Sequence, residues 1–435
     1  MTLTDTTFAA FGLAEPLVLG LEKAGFTTPT PIQAQAIGPQ LEGRDILGVA
    51  QTGTGKTAAF GLPMLHQILA LKGRPAPRTC RALILAPTRE LAVQIEQNLR
   101  AFASGARIST LLVLGGMSRG GQVRALSRGV DIVIATPGRL TDLMAEGAIL
   151  LDQTRFVVLD EADRMLDMGF IQPVRKIVAA LHPRRQSALF SATMPTEVRG
   201  LAESFLKDPV SVSVTPESTT VERIDQAVEL VDGPLKRARL AAIVADPDVA
   251  RVIVFARTKR GADRVAENLE KDGIPAESIH GNKAQNARQR ALNAFRNGTV
   301  RVLVATDIVA RGIDVQGVSH VVNYDLPDEP ESYVHRIGRT GRNGAEGMAI
   351  TLCAPDEVKK LRAVEKITRT QLLPASVEEG PARKQQPRRG GQKPGGAHGQ
   401  AGRPAQPRGP KPAHEAQAEP ARPRNRGPRR PRRAA

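Results

Sequence analysis

The 435-residue chain has no tryptophan, and aromatic residues make up only 3% of it. Proteins that grip single strands by their bases stack those bases on rings. A chain this poor in rings is ill suited to that grip, and any strand it held would be held by its backbone, without its sequence being read. Only two cysteines occur, Cys80 and Cys353. They are far apart and lack a CxxC partner, which argues against a disulfide framework or a cysteine zinc site and leaves two buried bystander thiols. No apolar run approaches the roughly 20 residues that cross a bilayer. Met1 to Gly12 carries neither a basic n-region nor an uninterrupted apolar stretch, so no secretory signal is expected. A cytoplasmic protein without a membrane partner fits these absences, and its 41% hydrophobic and 24% charged residues are ordinary for a globular chain.

Acidic residues are scarcest at one end. Residues 380–435 hold fifteen Lys/Arg against two Glu, so about 13 of the net +17 charges sit there. That segment is Pro, Gly, Gln, Ala and Arg with almost no large apolar side chains. It cannot bury enough surface to offset its chain entropy, so residues 373–435 are expected to be a disordered basic tail. Such a tail is either a solubiliser or a tether that holds nucleic acid electrostatically.

The remaining length suits two domains, and the first is organised around Ala50-Gln51-Thr52-Gly53-Thr54-Gly55-Lys56-Thr57. An apolar run from Asp45 to Val49 precedes it, and a helix can open at Ala58. A strand, a glycine-rich turn and a helix N-terminus together form a phosphate cradle. Backbone N–H groups point inward, Lys56 reaches the phosphates, and Thr57 offers its hydroxyl to Mg2+. Ala50 departs from the usual opening glycine. Upstream, Phe26-Thr27-Thr28-Pro29-Thr30-Pro31-Ile32-Gln33 ends in an amide whose donor and acceptor match the adenine edge.

Further apolar strands each end in a loop rich in Gly, Thr and Arg. Arg81–Ala86 leads to Pro87-Thr88-Arg89, Leu111–Leu114 to Gly115-Gly116, and Asp131–Ala135 to Thr136-Pro137-Gly138-Arg139. Continuous apolar strands alternating with helical patterns predict a parallel sheet, with ligands beyond the carboxyl ends of its strands. Phe156–Leu159 delivers Asp160-Glu161-Ala162-Asp163. Asp160 is the expected Mg2+ holder and Glu161 the group that orients or deprotonates water. Ser191 and Thr193, after Ala188–Phe190, supply hydroxyls that relay between those carboxylates and a neighbouring loop.

A second set follows residues 209–223, which read as a linker. Strands are expected at Ala227–Val231, Val252–Phe255, ahead of His280-Gly281, and at Val300–Ala305. Their ends carry Arg257, Gly281 and Thr306, with Gln285 and Arg288 in the helix after Gly281. His335 to Arg342 concentrates arginines in a glycine-rich segment. No second phosphate loop occurs here, so this domain is not expected to hold nucleotide alone.

In this order the motifs resemble those of the DEAD-box RNA helicases, most closely the bacterial RhlE type, over about residues 8–355. The resemblance implies an α/β fold of two tandem RecA-like domains, residues 1–208 and 224–372. It also implies ATP and Mg2+ as cofactors and RNA as the partner, with ribosomal or RNA-decay proteins as candidate protein partners of a monomer. ATP contacts would come from Phe8 and Phe26 as aromatic neighbours of the base, from Gln33 and from residues 50–57. Asp314 would hold the ribose, and Arg339 and Arg342 would reach the γ-phosphate. Catalysis would fall to Glu161, Lys56, Asp160, Arg339 and Arg342. RNA would lie on Pro87, Thr88, Arg89, Gly115, Gly116, Thr136, Pro137, Gly138, Arg139, Arg257, Gly281, Gln285, Arg288 and Thr306. Asp163, Ser191, Thr193 and His335 would couple the two ligands. Ala284 replaces a serine common in the family, which removes one strand-side contact. Two other activities share these motifs: an ATP-gated RNA clamp or scaffold, and an annealing chaperone acting through the tail.

Overall fold

The computed structural model describes residues 7–51, 53–214, 224–307, 315, 317–341 and 346–373. Within these, the chain builds two parallel sheets. The first contains β1 (Ile46–Val49), β2 (Cys80–Leu85), β3 (Thr110–Val113), β4 (Val130–Ala135), β5 (Phe156–Leu159), β6 (Gln186–Ser191) and β7 (Val210–Ser213). Its order is β3-β4-β2-β5-β6-β1-β7. The second contains β8 (Ile224–Leu230), β9 (Val252–Phe255), β10 (Ala276–Ile279), β11 (Val302–Ala305), β12 (His320–Asn323) and β13 (Gly347–Cys353), in the order β10-β11-β9-β12-β13-β8. Helices follow the strands as the alternation of patterns predicted.

Period-two geometry sends successive strand residues to opposite faces, and the cores divide accordingly. Ile84, Ile132, Ile134, Val158 and Phe190 pack with the helices of one face of the first sheet. Leu83, Leu85, Val133, Leu159 and Leu189 pack on the other. In the second sheet Val252, Val254, Val302 and Val304 separate from Ile253, Phe255, Leu303 and Ala305 in the same way. Both faces are covered, so strands such as β4 are buried along their whole length.

The sheet order sorts motifs that the sequence interleaves. β1, β6 and β5 are neighbours, which gathers the phosphate loop, Ser191–Thr193 and Asp160–Asp163 at one half of the carboxyl edge. β2, β4 and β3 form the other half and gather Thr88–Arg89, Thr136–Arg139 and Gly115–Gly116. In the second sheet β10, β11 and β9 are adjacent, bringing together the ends that carry Gly281, Thr306 and Arg257.

The linker expected over 209–223 is corrected at its start. Val210–Ser213 pairs in register with β1 and closes the edge of the first sheet. Residues 215–223 lie outside the described residues, as do 374–435, which hold nearly all of the expected tail. β12 and β13 were not anticipated from sequence, being short or broken by polar residues.

Both cysteines are buried. Burial pushes the Cys80 thiol up to about 12, against a hydrogen bond from Thr154 that acts in the opposite direction. Burial and the nearby Glu357 push Cys353 up to about 12 as well. Because the thiolate is the reactive form, a rise from 9 to about 12 leaves on the order of a thousandfold less of it at pH 8. Disulfide-exchange labelling is expected to leave the native protein unmodified and to count both thiols after unfolding; rapid native labelling would contradict this packing.

Candidate active site and strand-binding surface

The phosphate loop takes its shape from two glycines with left-handed backbone, Gly53 at φ 91° and Gly55 at φ 94°. Gly55 is also crowded. A Cβ there would lie 2.3 Å from Gln33 Nε2. Gln33 is buried, and its amide is occupied at both ends: Oε1 accepts from Thr30 N at 2.9 Å and Nε2 donates to Gly55 O at 3.1 Å. Thr30 Oγ1 donates to Thr54 O at 2.8 Å. Gln33 therefore fastens the Pro31–Leu41 helix to the phosphate loop, and the adenine-matching edge expected of it is engaged by protein. Lys56 opens the helix Lys56–Ala70, is buried, and donates from Nζ to Ala50 O at 3.1 Å. Thr57, half-buried, follows it in the same turn. Ala50 continues β1 by donating its N–H to Ser191 O at 3.0 Å. Gln51 and Thr54 join through Thr54 Oγ1 to Gln51 O at 2.8 Å.

Beside this loop stand Asp160 and Glu161, both buried. Burial pushes the Asp160 carboxyl up to about 6, with Lys56 opposing the rise and Glu161 adding to it. Its Oδ1 is buried without a hydrogen-bond partner. Glu161 goes the other way. Burial would raise it, but Arg164, Lys56 and, more weakly, Arg339 together hold it below the usual carboxylate range. Arg164 donates to Glu161 Oε2 in a buried ion pair. Glu161 also sits at φ 54°, a conformation that costs a non-glycine residue of order 1 kcal/mol or more and that clusters at working sites.

Asp163 binds the loop after β6. Its Oδ2 accepts from Ala192 N at 3.1 Å, Thr193 N at 2.8 Å and Thr193 Oγ1 at 2.9 Å, while its own N donates to Ser191 Oγ at 3.1 Å. Four hydrogen bonds thus make the two loops one body.

Of the two expected aromatic neighbours, Phe8 is the buried one. It is 3% exposed and packs in the core against Phe11. Phe26 is 37% exposed, supported edge-on by Phe102 at 5.4 Å.

On the other half of the edge, Thr88 caps the helix Arg89–Phe102 by accepting from Leu91 N at 3.3 Å. Arg89 lies over the glycine pair, where a Cβ on Gly116 would come within 2.5 Å of its Nη1. Thr136 and Pro137 begin the helix Pro137–Ala145, and Gly138 O accepts from Thr141 Oγ1. Arg139 donates to Met117 O and Gln122 Oε1, each at 3.3 Å.

In the second domain, Arg257 is held by Glu357 and by Asp328 at 3.8 Å, and its N–H donates to Asp325. Gly281 follows buried His280, and Thr306 is buried at the end of β11. His335 O accepts from Arg339 Nε at 3.1 Å. Arg339 is 5% exposed, and its charge is felt at Glu161 in the first domain. Thr52, Asp314 and Arg342 lie outside the described residues.

Gln285 and Arg288 are corrected in their surroundings. Both are buried against Glu90 of the first domain: Gln285 Nε2 donates to Oε1 at 3.2 Å and Arg288 Nη2 to Oε2 at 2.6 Å. Glu90 was missed from sequence; the signal was a carboxylate placed beside Arg89 in a basic loop. Arg164, which holds Glu161, was also passed over, although it stands three residues on in the same helical turn. No group of three or more metal-ligating side chains occurs among the described residues.

Known proteins match this arrangement. Residues 30–201 fit the DEAD/DEAH box helicase model and residues 235–344 the helicase conserved C-terminal domain. The CshA DEAD-box ATP-dependent RNA helicase of Streptococcus pneumoniae is 46% identical over 86% of this chain and 71% of its own length. The chain belongs to the DEAD-box RNA helicase family. CshA of Bacillus subtilis is 44% identical over 84% of this chain and 73% of that protein. A structure of Saccharomyces cerevisiae Dbp5 with RNA and ADP–BeF3 superposes with a TM-score of 0.72 at 31% identity, covering 83% of this helicase and 93% of that chain. Mss116p bound to single-stranded RNA and AMP-PNP gives 0.74 at 29% identity, covering 86% of this helicase and 78% of that chain. Two tandem RecA-like domains are thereby established.

Glu90 is a buried charge of the first domain whose partners come from the second. Burial lowers the Arg288 guanidinium below its ordinary value, Glu90 opposes this only in part, and Arg89 adds a smaller lowering. Removing one partner of such a buried pair costs about 3–5 kcal/mol. Glu90→Ala is expected to let the domains separate, read as a larger radius of gyration in solution scattering; an unchanged radius would deny Glu90 that role.

Proposed function

We propose that this chain is an ATP-dependent RNA helicase that hydrolyses ATP when RNA is bound and locally separates short RNA duplexes or remodels RNA–protein complexes. The observation that carries this reading is the pairing of a phosphate loop and a buried Asp160–Glu161 pair in one domain with Arg339 of the other. The family and its RNA- and nucleotide-bound neighbours support it.

Each group has a task in phosphoryl transfer. The loop N–H groups and Lys56 hold the phosphates, the exposed Phe26 flanks the base, and Gln33 braces the phosphate loop through Gly55. Glu161 stays ionised at neutral pH, so it can accept a hydrogen bond from the attacking water and take its proton. The water oxygen bonds to the γ-phosphorus as the bond to the bridging oxygen of ADP breaks. Arg339, with Arg342 by family analogy, balances charge on the transferring group.

The donor set fits Mg2+. The partnerless Asp160 Oδ1 and the Thr57 hydroxyl are hard oxygen donors of the kind that cation takes. When bound, it would neutralise charge on the β- and γ-phosphate oxygens. Lys56 and Arg164 already supply part of the positive charge that the acidic pair requires.

The loops over β3, β4 and β2 and the β10–β11–β9 ends form the RNA surface of this reading. With few rings available, it holds sugar-phosphate backbone, and specificity for sequence is low. The 2′-OH is the feature that favours RNA over DNA. Both halves of the site come from one chain, so this reading takes the enzyme as a monomer, acting in the cytoplasm. The basic tail raises the local concentration of RNA.

The test is ATP turnover and RNA-duplex unwinding measured together for wild type, Lys56→Ala, Glu161→Gln and a chain ending at Pro374. RNA-stimulated turnover with ATP-driven strand separation, lost in both point variants, supports the helicase. Stimulated turnover without strand separation points to a clamp. Strand exchange that needs no ATP but needs the tail points to a chaperone. Removal of the tail is expected to weaken RNA binding and flatten its salt dependence.

A further inference from the structure

Residues 346–373 lie beyond the segment that fits the helicase C-terminal model, yet they fold back on the part of it that carries Arg339. The helix Glu331–Ile337 is only seven residues long, too short to persist on helix propensity alone. One side is fixed by buried Arg336. It pairs with Asp307 through two nitrogens, donates to Asp325 O at 2.6 Å, and lies over the Phe255 ring. An adjoining face presents Tyr333 and Ile337, which pack with Ile224, Ala349, Val364 and Leu372.

Leu372 reaches that cluster because the chain reverses after the helix Val358–Thr368, with Arg369 at φ 53°. Leu373 then fills a neighbouring cluster with Leu326, Cys353, Val358 and Leu361. The returning segment has no regular structure, yet its backbone is tightly held. Glu365 accepts from Leu372 N at 2.7 Å and Leu373 N at 2.9 Å. Arg362 pairs with Glu365 at 2.8 Å and donates to Leu373 O at 3.3 Å, and Gln371 Nε2 donates to the same carbonyl at 3.2 Å.

We propose that Glu365, Leu372 and Leu373 form a clasp that positions the helix Glu331–Ile337 and, through it, the Arg339 guanidinium. The link is short. Arg339 follows Ile337 by two residues, its N–H donates to Arg336 O at 3.1 Å, and its Nε donates to His335 O at 3.1 Å. The last turn of the helix therefore sets where the guanidinium stands, and a misplacement of about 1 Å can cost on the order of 100-fold in rate. These are positioning residues; none touches nucleotide. The inference rests on the role given to Arg339 above.

The experiment is RNA-saturated ATP turnover by the full chain. It compares Glu365→Ala, Leu372→Ala and Leu372→Met, each alone and each combined with Arg339→Ala. The clasp predicts about a tenfold fall in kcat for the two alanine variants, with KM for ATP held within about twofold and near-wild-type turnover for Leu372→Met. In the Arg339→Ala background the same changes should cost nothing more, because their effect passes through that side chain. Undiminished kcat in both alanine variants, alongside a damaged Arg339→Ala, overturns the clasp. So does a loss that persists in full in the Arg339→Ala background. If Arg339→Ala itself turns over normally, the role of Arg339 fails and the clasp with it. Glu365→Gln, which keeps the shape and loses the charge, decides the matter should Leu372→Ala lose folded protein; the clasp predicts a smaller fall in kcat than Glu365→Ala.

Discussion

Two adjacent carboxylates buried at the end of a strand need cations around them, and the arrangement of this helicase follows from supplying those cations. Lys56 comes from the phosphate loop, Arg164 from the turn after the acidic pair, and Arg339 from the other domain. The first two are local and permanent. The third depends on where the second domain stands, so the electrostatic state of Glu161 carries information about domain position. A buried acidic site completed from across an interface is a physical basis for making chemistry conditional on closure.

A second buried charge works at the far half of the same interface. Glu90, beside Arg89 on the edge proposed to hold RNA, receives Gln285 and Arg288 from the second domain. Like Glu161, it is stable in its burial only while its partner is present. Charge thus crosses between the domains at two places, as the hydrogen-bonded pair at Glu90 and as the weaker field of Arg339 at Glu161. The order β3-β4-β2-β5-β6-β1-β7 is what separates the two halves of the carboxyl edge in space although the sequence interleaves them.

Much of this was legible in the chain. The phosphate loop, the acidic pair and the apolar strands each rest on local spacing, and the structure places them at the carboxyl edge as parallel-sheet geometry requires. What escaped is long-range. β7 read as linker because its alternating Val210-Ser211-Val212-Ser213 becomes a strand only by pairing with β1. Phe8 read as a ligand contact by resemblance, and its place in the core cluster was not foreseen, since nothing in a lone phenylalanine says which face it turns. Gln285 and Arg288 read as strand contacts, and only folding shows the carboxylate of Glu90, 195 residues away along the chain from Gln285. Buried polar partners at such separation leave no trace in periodicity.

The central claim is that nucleotide and RNA share one domain interface, so each should bind more tightly with the other present. The direct measurement is the affinity of a non-hydrolysable ATP analogue for the full chain, with and without saturating single-stranded RNA. Coupling between distinct sites is typically about 1–3 kcal/mol, or roughly 5- to 150-fold. The account predicts at least the lower end of that range, with the reciprocal gain in RNA affinity when the analogue is present. Equal affinities in both conditions would mean that the two sites do not share the interface, and the account would be wrong.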